Sequence, residues 1–224
     1  MEGEAAHHLG RVLRAQPGQI YELSDGTQVY LGRIDIVTRD RVQFALLEEL
    51  PAHQPTLDVT LLLSIVKFDA FEWALEKATE LAVTRIVPLA AARSEKGLLA
   101  AVAKRRERWH KILLESSQQS RRVQLPILAE LIAPEKSFAE HKSASGVLLS
   151  ERPDAPPLRK VLSTIAPTTK LALAIGPEGG WTDAELSSAH SANFAEASLG
   201  KLILRTETAV IAALAAINYA LGSD

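Results

Sequence analysis

The sequence predicts an α/β protein, a mostly parallel sheet with helices on its faces, preceded by a small β-barrel. Three observations predict it. From Leu57 onward, short apolar runs alternate with segments of helical spacing, the pattern of a parallel sheet built from β–α units. Before that point there are only short β-like runs separated by turn residues. Finally, two apolar strands stop abruptly in loops and restart as helices: Gly176-Pro177-Glu178-Gly179-Gly180 ends one, and the other, Leu199-Gly200-Lys201-Leu202-Ile203-Leu204, runs into Arg205-Thr206-Glu207-Thr208-Ala209. Ligands of open α/β sheets bind at such strand ends.

In the N-terminal part, Val12-Leu13, Ile20–Leu23, Val29–Leu31 and Val42–Leu46 read as strands, with Pro17-Gly18, Asp25-Gly26 and Thr38-Arg39-Asp40 as turns. That spacing suggests a small barrel over residues 1–58, and Pro51–Pro55 reads as a linker. The second domain, residues 59–224, opens on the strand Leu57–Val66. Phe68, Phe71, Leu75, Ala78 and Ala82 then recur at helical spacing. Ile86–Leu89 is the next strand, and a long helix runs from Leu98 to about Ser120. Strands are expected at Ile127-Leu128, Gly146–Leu149 and Leu171–Ile175. Thr182-Asp183-Ala184-Glu185 is a capping box that starts a helix, and the last helix spans about Thr206 to Leu221. Its residues 209–217 are apolar all round, which predicts burial on every side, in a central core position or at a dimer interface.

Composition bounds the function classes. The chain has 224 residues, 47% of them hydrophobic and 23% charged, so it buries a real core. The absence of cysteine removes disulfides, thiolate zinc sites and cysteine nucleophiles together, and fits a cytoplasmic protein. No signal peptide and no membrane-spanning run is read from the sequence. The net charge of -2 gives a nucleic-acid partner no general attraction, so RNA binding would rest on local patches. One such patch is Lys104, Arg105, Arg108 and Lys111 on the long helix, diluted by Glu107 and Glu115.

The glycine loop at 176–180 allows positive φ and close backbone approach to a ligand, or else serves as a tight turn alone. Its spacing matches neither the dinucleotide fingerprint nor the Walker loop. Thr206 and Glu207 suit the start of a helix, whereas Arg205, at the end of an apolar run, calls for an anionic or carbonyl partner. The histidines His7, His8, His53, His110, His141 and His190 form no ligand pattern, so no metal is expected. No Gly-x-Ser-x-Gly elbow is present.

Taken in order, these segments resemble the RsmE family, bacterial 16S ribosomal RNA methyltransferases acting on ring nitrogen 3 of a uridine. The resemblance runs from His7-His8-Leu9 and Val12-Leu13-Arg14, through Lys67 with Glu76–Leu81, Arg93-Ser94-Glu95-Lys96, Trp109–Ile112 with Glu115, Gln119-Ser120, Arg122 and Pro126, to Ile175–Gly180 and Leu199–Ala209. The last two are the most specific motifs. It implies an N-terminal PUA-like barrel, a C-terminal SPOUT domain with a trefoil knot, a homodimer formed through that domain, and S-adenosyl-L-methionine as methyl donor. It places the donor against Leu149, Gly176, Pro177, Glu178, Gly179, Gly180, Leu199, Gly200, Leu202, Leu204 and Thr208. Read from the chemistry of a uridine that must lose a proton, rather than from the resemblance, Arg205 is the candidate to stabilise charge on the uridine, Glu207 or Glu178 to accept its proton, and Arg11, Arg14, Lys67, Arg93, Arg121 and Arg122 to contact phosphates of the 16S rRNA. Other readings are a SPOUT enzyme for another RNA, such as tRNA, or a non-catalytic RNA-binding homologue. The chain departs from the family pattern at Gln118, where Glu is commoner, and at Arg121, where Gly is usual. Family members also carry an Arg-Arg-Phe-Phe strand before the His-Leu segment. Here only a short lead precedes it, so the barrel is expected to lack a first strand.

Overall fold

The computed structural model describes residues 1–51, 56–165 and 170–222. Of the expected linker Pro51–Pro55, all but Pro51 lies outside the described residues. The chain divides into two compact units, Met1–Gln54 and Pro55–Asp224.

In the first unit, β1 (Ile20–Ser24), β2 (Val29–Val37) and β3 (Val42–Leu50) form an antiparallel sheet in the order β1-β2-β3. The β1–β2 turn is set by Asp25, whose Oδ1 accepts the amides of Thr27 and Gln28, while Gly26 takes φ +91°. The strand expected at Val12-Leu13 does not form. Residues Gly3–His7 make a helix, α1, which widens into a π-turn over His8–Val12. The run Ala5-Ala6 favours a helix, and Ala6 and Leu9, three apart, bury one face of it against Ala15, Ile34 and Val42. Val12 and Leu13 are left exposed. Met1 pairs with Val42 through both backbone hydrogen bonds, each 3.0 Å.

The second unit is the expected parallel sheet. Its strands are β4 (Asp58–Ser64), β5 (Arg85–Leu89), β6 (Ile127–Leu128), β7 (Ser145–Leu149), β8 (Lys170–Ile175) and β9 (Phe194–Ala197). They lie in the order β6-β5-β4-β8-β7-β9, and every pairing is parallel. Helices α2 (Phe68–Glu80), α3 (Lys96–Gln119), α4 (Pro134–Glu140), α5 (Leu158–Leu162), α6 (Asp183–Ser191) and α7 (Thr206–Leu221) connect and flank them.

The central strands are apolar on both faces because both are covered. Val59, Leu61 and Leu63 of β4, Leu171 and Leu173 of β8 and Val147 of β7 pack with α2, α3, α5 and α7. Leu62, Leu148, Ala172 and Ala174 face the other way, against Phe138 of α4, Leu186 and Ala189 of α6, and Trp181. On the first face Trp109 is fully buried beside Phe71, ring centroids 4.6 Å apart. Alanine at 172 and 174 leaves room on the second face for the larger rings.

Two expectations near the C-terminus are corrected. Leu199–Leu204 is not a strand. The strand is β9, and Ser198 Oγ accepts the Gly200 amide at 3.1 Å while Gly200 takes φ +133°, turning the chain out of the sheet. Leu202 and Ile203 are therefore 83% and 78% exposed, so the apolar run reflects a surface loop rather than a buried strand. The last helix is not buried all round within the chain: Val210, Ala213, Leu214 and Ile217 face the core, whereas Thr208, Ala215 and Tyr219 are exposed.

One position shows how tightly β7 and β9 are matched. A Cβ added to Gly146 would lie 2.7 Å from the Phe194 ring. Gly146→Val is expected to lower stability by about 1–3 kcal/mol through overpacking, read as a lower urea midpoint at unchanged slope.

Candidate functional site

The C-terminal ends of β7, β8 and β9 lie side by side, because β8 is inserted between β4 and β7. The chain leaves each strand in a loop, and the loops enclose a cavity of about 400 Å³. Three segments line it: Leu149–Pro153 after β7, Ile175–Trp181 without Glu178 after β8, and Ser198–Leu204 after β9. Arg93, Leu186, Thr206 and Ala209 complete it. The volume is in the range of small-molecule sites.

Much of the wall is main chain. The Leu149 carbonyl is held by the Trp181 indole Nε1 at 2.9 Å, and the Ser150 amide by Ala197 O at 2.9 Å. Pro177 and Gly180 close a turn, with Gly180 N donating to Pro177 O at 2.8 Å and Gly180 at φ +68°. Gly176 lies against the Trp181 ring, where an added Cβ would come within 3.1 Å. Among the described residues, the amides of Leu199, Leu202, Ile203 and Leu204 donate to nothing within the chain. The unpaired amides at the N-terminus of α7 follow directly. Backbone groups left open beside a cavity are what a planar polar ligand reads.

Of the residues expected at the donor, Leu149, Gly176, Pro177, Gly179, Gly180, Leu199, Gly200, Leu202 and Leu204 line this one cavity. Glu178 and Thr208 do not; both are exposed. Arg205 is the N-cap of α7 and is exposed, so the expectation of a charge among buried neighbours is corrected. Its backbone caps the helix, Ala209 N donating to its carbonyl at 2.9 Å, and Thr206 is the first helical residue rather than the cap. Glu207 is buried in the first turn of α7. Ser150–Pro153, Trp181, Ser198 and Arg93 line the cavity without having been singled out for it. Proximity to Leu149 and Gly180 was the only sequence signal for the first two.

The basic residues separate by what they touch. Arg93 Nη1 donates to Gly179 O at 2.7 Å and to Trp181 O at 3.2 Å. Arg122 Nη1 donates to Thr79 O and Val83 O, each 2.8 Å, at the end of α2, and burial pushes its guanidinium below its ordinary range. Arg108 and Arg105 hold the buried Glu72 carboxylate at 2.7 and 3.5 Å, so the helical patch at 104–111 is half committed inside the fold. Arg11, Arg14, Lys67 and Arg121 are exposed. Among the described residues no group of three or more His, Asp or Glu side chains is placed to hold a metal ion. No described helix is long and apolar enough to cross a membrane.

A family model described as an RNA methyltransferase domain matches residues 53–218, and one described as an RNA methyltransferase PUA domain matches residues 2–47. The chain belongs to this RNA methyltransferase family. Ribosomal RNA small subunit methyltransferase E of Synechocystis is 35% identical over 97% of this chain and 71% of the relative. The enzyme of the same name from Bacillus subtilis is 31% identical over 97% of this chain and 88% of its own. Among solved structures, a ribosomal RNA small subunit methyltransferase E from Neisseria gonorrhoeae bound to S-adenosyl methionine is similar at TM-score 0.87 and 30% identity. It covers 98% of this chain and 90% of that one. A methyltransferase from Legionella pneumophila in complex with the cofactor SAM gives TM-score 0.87 at 29% identity, covering 97% of this chain and 89% of that one.

The indole of Trp181 ties the glycine loop of this methyltransferase domain to β7. Trp181→Phe keeps a ring beneath Gly176 but leaves the Leu149 carbonyl without its donor. The expected cost is about 1–2 kcal/mol, measured by chemical denaturation.

Proposed function

We propose that this chain transfers a methyl group from S-adenosyl-L-methionine to ring nitrogen 3 of a uridine in the 16S rRNA of the small ribosomal subunit. One observation carries the proposal: the two most specific motifs of the sequence, following the separate strands β8 and β9, line a single cavity walled in part by open main chain. The family, the names of the relatives and the cofactor bound in the solved neighbours support it.

The cavity fits the cofactor's chemistry. Leu149, Ile175, Leu199, Leu202, Leu204 and Ala209 offer an apolar bed for a flat base, with the open amides of Leu199, Leu202, Ile203 and Leu204 at its edge. Glu151, Arg152 and Lys201 offer both signs of charge for an amino-acid tail. Bound there, the cofactor supplies an electrophilic methyl on a sulfonium.

The chain's own residues do the rest. Uridine nitrogen 3 is a nucleophile only after losing its proton, and the charge then spreads to the ring carbonyls. Arg205 stands next to the cavity-lining Leu204 with its side chain exposed, free to meet that charge as a cation. Glu207, in the first turn of α7, or Glu178, between the lining residues Pro177 and Gly179, accepts the proton. Holding base and donor in line contributes the orientation. The base must leave its stack to enter. Arg11, Arg14, Lys67 and Arg121 serve the phosphates, while Arg93 and Arg122 have their guanidinium groups on protein carbonyls.

In this reading residues 1–58 form the RNA-gripping PUA-like barrel and residues 59–224 the SPOUT domain, with the chain after β9 threaded as a trefoil knot, a rare exception to unthreaded topology. The insertion of β8 between β4 and β7 and the match over residues 2–47 support it. The domain pairs with a second copy through the stripe Thr208, Ala212, Ala215 and Tyr219 of α7, spaced for one helix face; Ala212 is half-buried, the other three are exposed, and Tyr219 is 94% exposed. A ribosomal substrate assigns the work to the cytoplasm.

The proposal is tested by incubating the chain with labelled S-adenosylmethionine and small subunits lacking uridine methylation, then identifying nucleosides by mass spectrometry. Label is expected in 3-methyluridine, and none with tRNA; label in any other nucleoside overturns the assignment. Arg205→Ala is expected to lower turnover at least a hundredfold while calorimetry shows donor affinity unchanged. Tyr219→Glu is expected to shift the scattering mass of the native protein from dimer to monomer.

A further inference from the structure

Arg93 and Glu185 close a ring of hydrogen bonds around the glycine loop. The loop has three glycines, Gly176, Gly179 and Gly180, and only the short Gly180–Pro177 bond within itself. Left alone it would sample many backbone states, because glycine resists fixing. Its shape is set from outside. Arg93 Nη1 reaches across from the β5–α3 connection to Gly179 O and Trp181 O. The arginine stem lies against Gly179, where an added Cβ would meet Arg93 Cβ at 3.2 Å.

What holds Arg93 is its neighbour. The amide of Ala92 donates to Glu185 Oε1 at 2.9 Å. The other oxygen, Oε2, accepts the amide and hydroxyl of Thr182, both 2.8 Å. Glu185 is 1% exposed, lies on α6 and does not line the cavity. The ring runs from Ala92 to Arg93, across to Gly179 and Trp181, on to Thr182, to Glu185 and back to Ala92. It also passes into the sheet, since Trp181 Nε1 holds Leu149 O, and Ser94 Oγ holds Ile65 O at 2.7 Å. All three donors on the carboxylate would be stranded by its loss, and a buried unpaired donor is costly.

We infer that Arg93 and Glu185 are positioning residues: a latch that fixes the 176–181 backbone in the form that binds the methyl donor. This rests on the reading of the cavity as the donor site. It also gives Arg93 a task other than touching phosphate. The latch acts before RNA arrives, so its loss should appear in donor affinity and leave RNA affinity alone.

The test measures S-adenosylhomocysteine affinity by calorimetry and RNA affinity by filter binding, on the full chain, for Arg93→Ala, Glu185→Gln and the double variant. Each single variant is expected to weaken the cofactor product about tenfold or more, the scale of one charged hydrogen bond, with RNA affinity unchanged. The double variant is expected to be no weaker than the worse single one, because both break the same ring. Arg93→Lys, which keeps charge and one donor, is expected to recover part of the loss. Additive losses in the double variant, or weakened RNA binding with intact cofactor binding in Arg93→Ala, would overturn the latch. Should Glu185→Gln fail to fold, the exposed Arg93 variants decide alone. If the unaltered chain binds no S-adenosylhomocysteine, the donor reading itself fails, a result distinct from binding that the variants leave unchanged.

Discussion

The placement of β8 between β4 and β7 is the constraint on which the rest of the second unit depends. The strands before it step outward in one direction, β4 to β5 to β6. The next, β7, crosses to the other side, and β8 then enters the gap. All pairings are parallel, so every strand ends at the same edge. Insertion puts the loops after β7, β8 and β9 next to one another, and a cavity results. The same strand needs two different faces: leucine on the side of α2 and α7, alanine on the side of α6. Its sequence, Leu171-Ala172-Leu173-Ala174, alternates accordingly.

A site walled by main chain has its own physics. Backbone amides near a cavity must be paired by something, and here those of Leu199, Leu202, Ile203 and Leu204 have no partner within the chain among the described residues. Glycine at 200 with φ +133° and at 180 with φ +68° makes the local turns that expose them. Such a site depends less on the identity of its side chains than on the pose of its loops, so residues outside the cavity carry part of its specificity. The buried carboxylate of Glu185 is one of them, serving at once as helix cap and as anchor for Ala92.

The parts of this structure that are local in sequence were legible. Apolar runs named the central strands, Thr182 and Glu185 named a capping box that the structure contains, and the glycine run named a cavity wall. What failed was context. Leu199–Leu204 has the composition of a buried strand, but Ser198 and Gly200 turn it to the surface. Val12-Leu13 reads as a strand, but Ala6 and Leu9 recruit the segment into a helix against Ile34. Charges were the least legible of all. Arg93, Arg105, Arg108 and Arg122 look alike as cations in the sequence, and only the fold assigns them to Gly179, Glu72 and the end of α2. Those partners lie between 33 and 86 residues away, for Arg105 with Glu72 and Arg93 with Gly179, beyond any local pattern.

Open main chain at the ends of β8 and β9 is proposed to hold the methyl donor. Hydrogen exchange by mass spectrometry, with and without S-adenosylhomocysteine, tests it most directly. Slowed exchange is expected in residues 176–181 and 199–204, with little change in β1–β3. Binding that leaves 199–204 exchanging as before, and protects another segment instead, would contradict it.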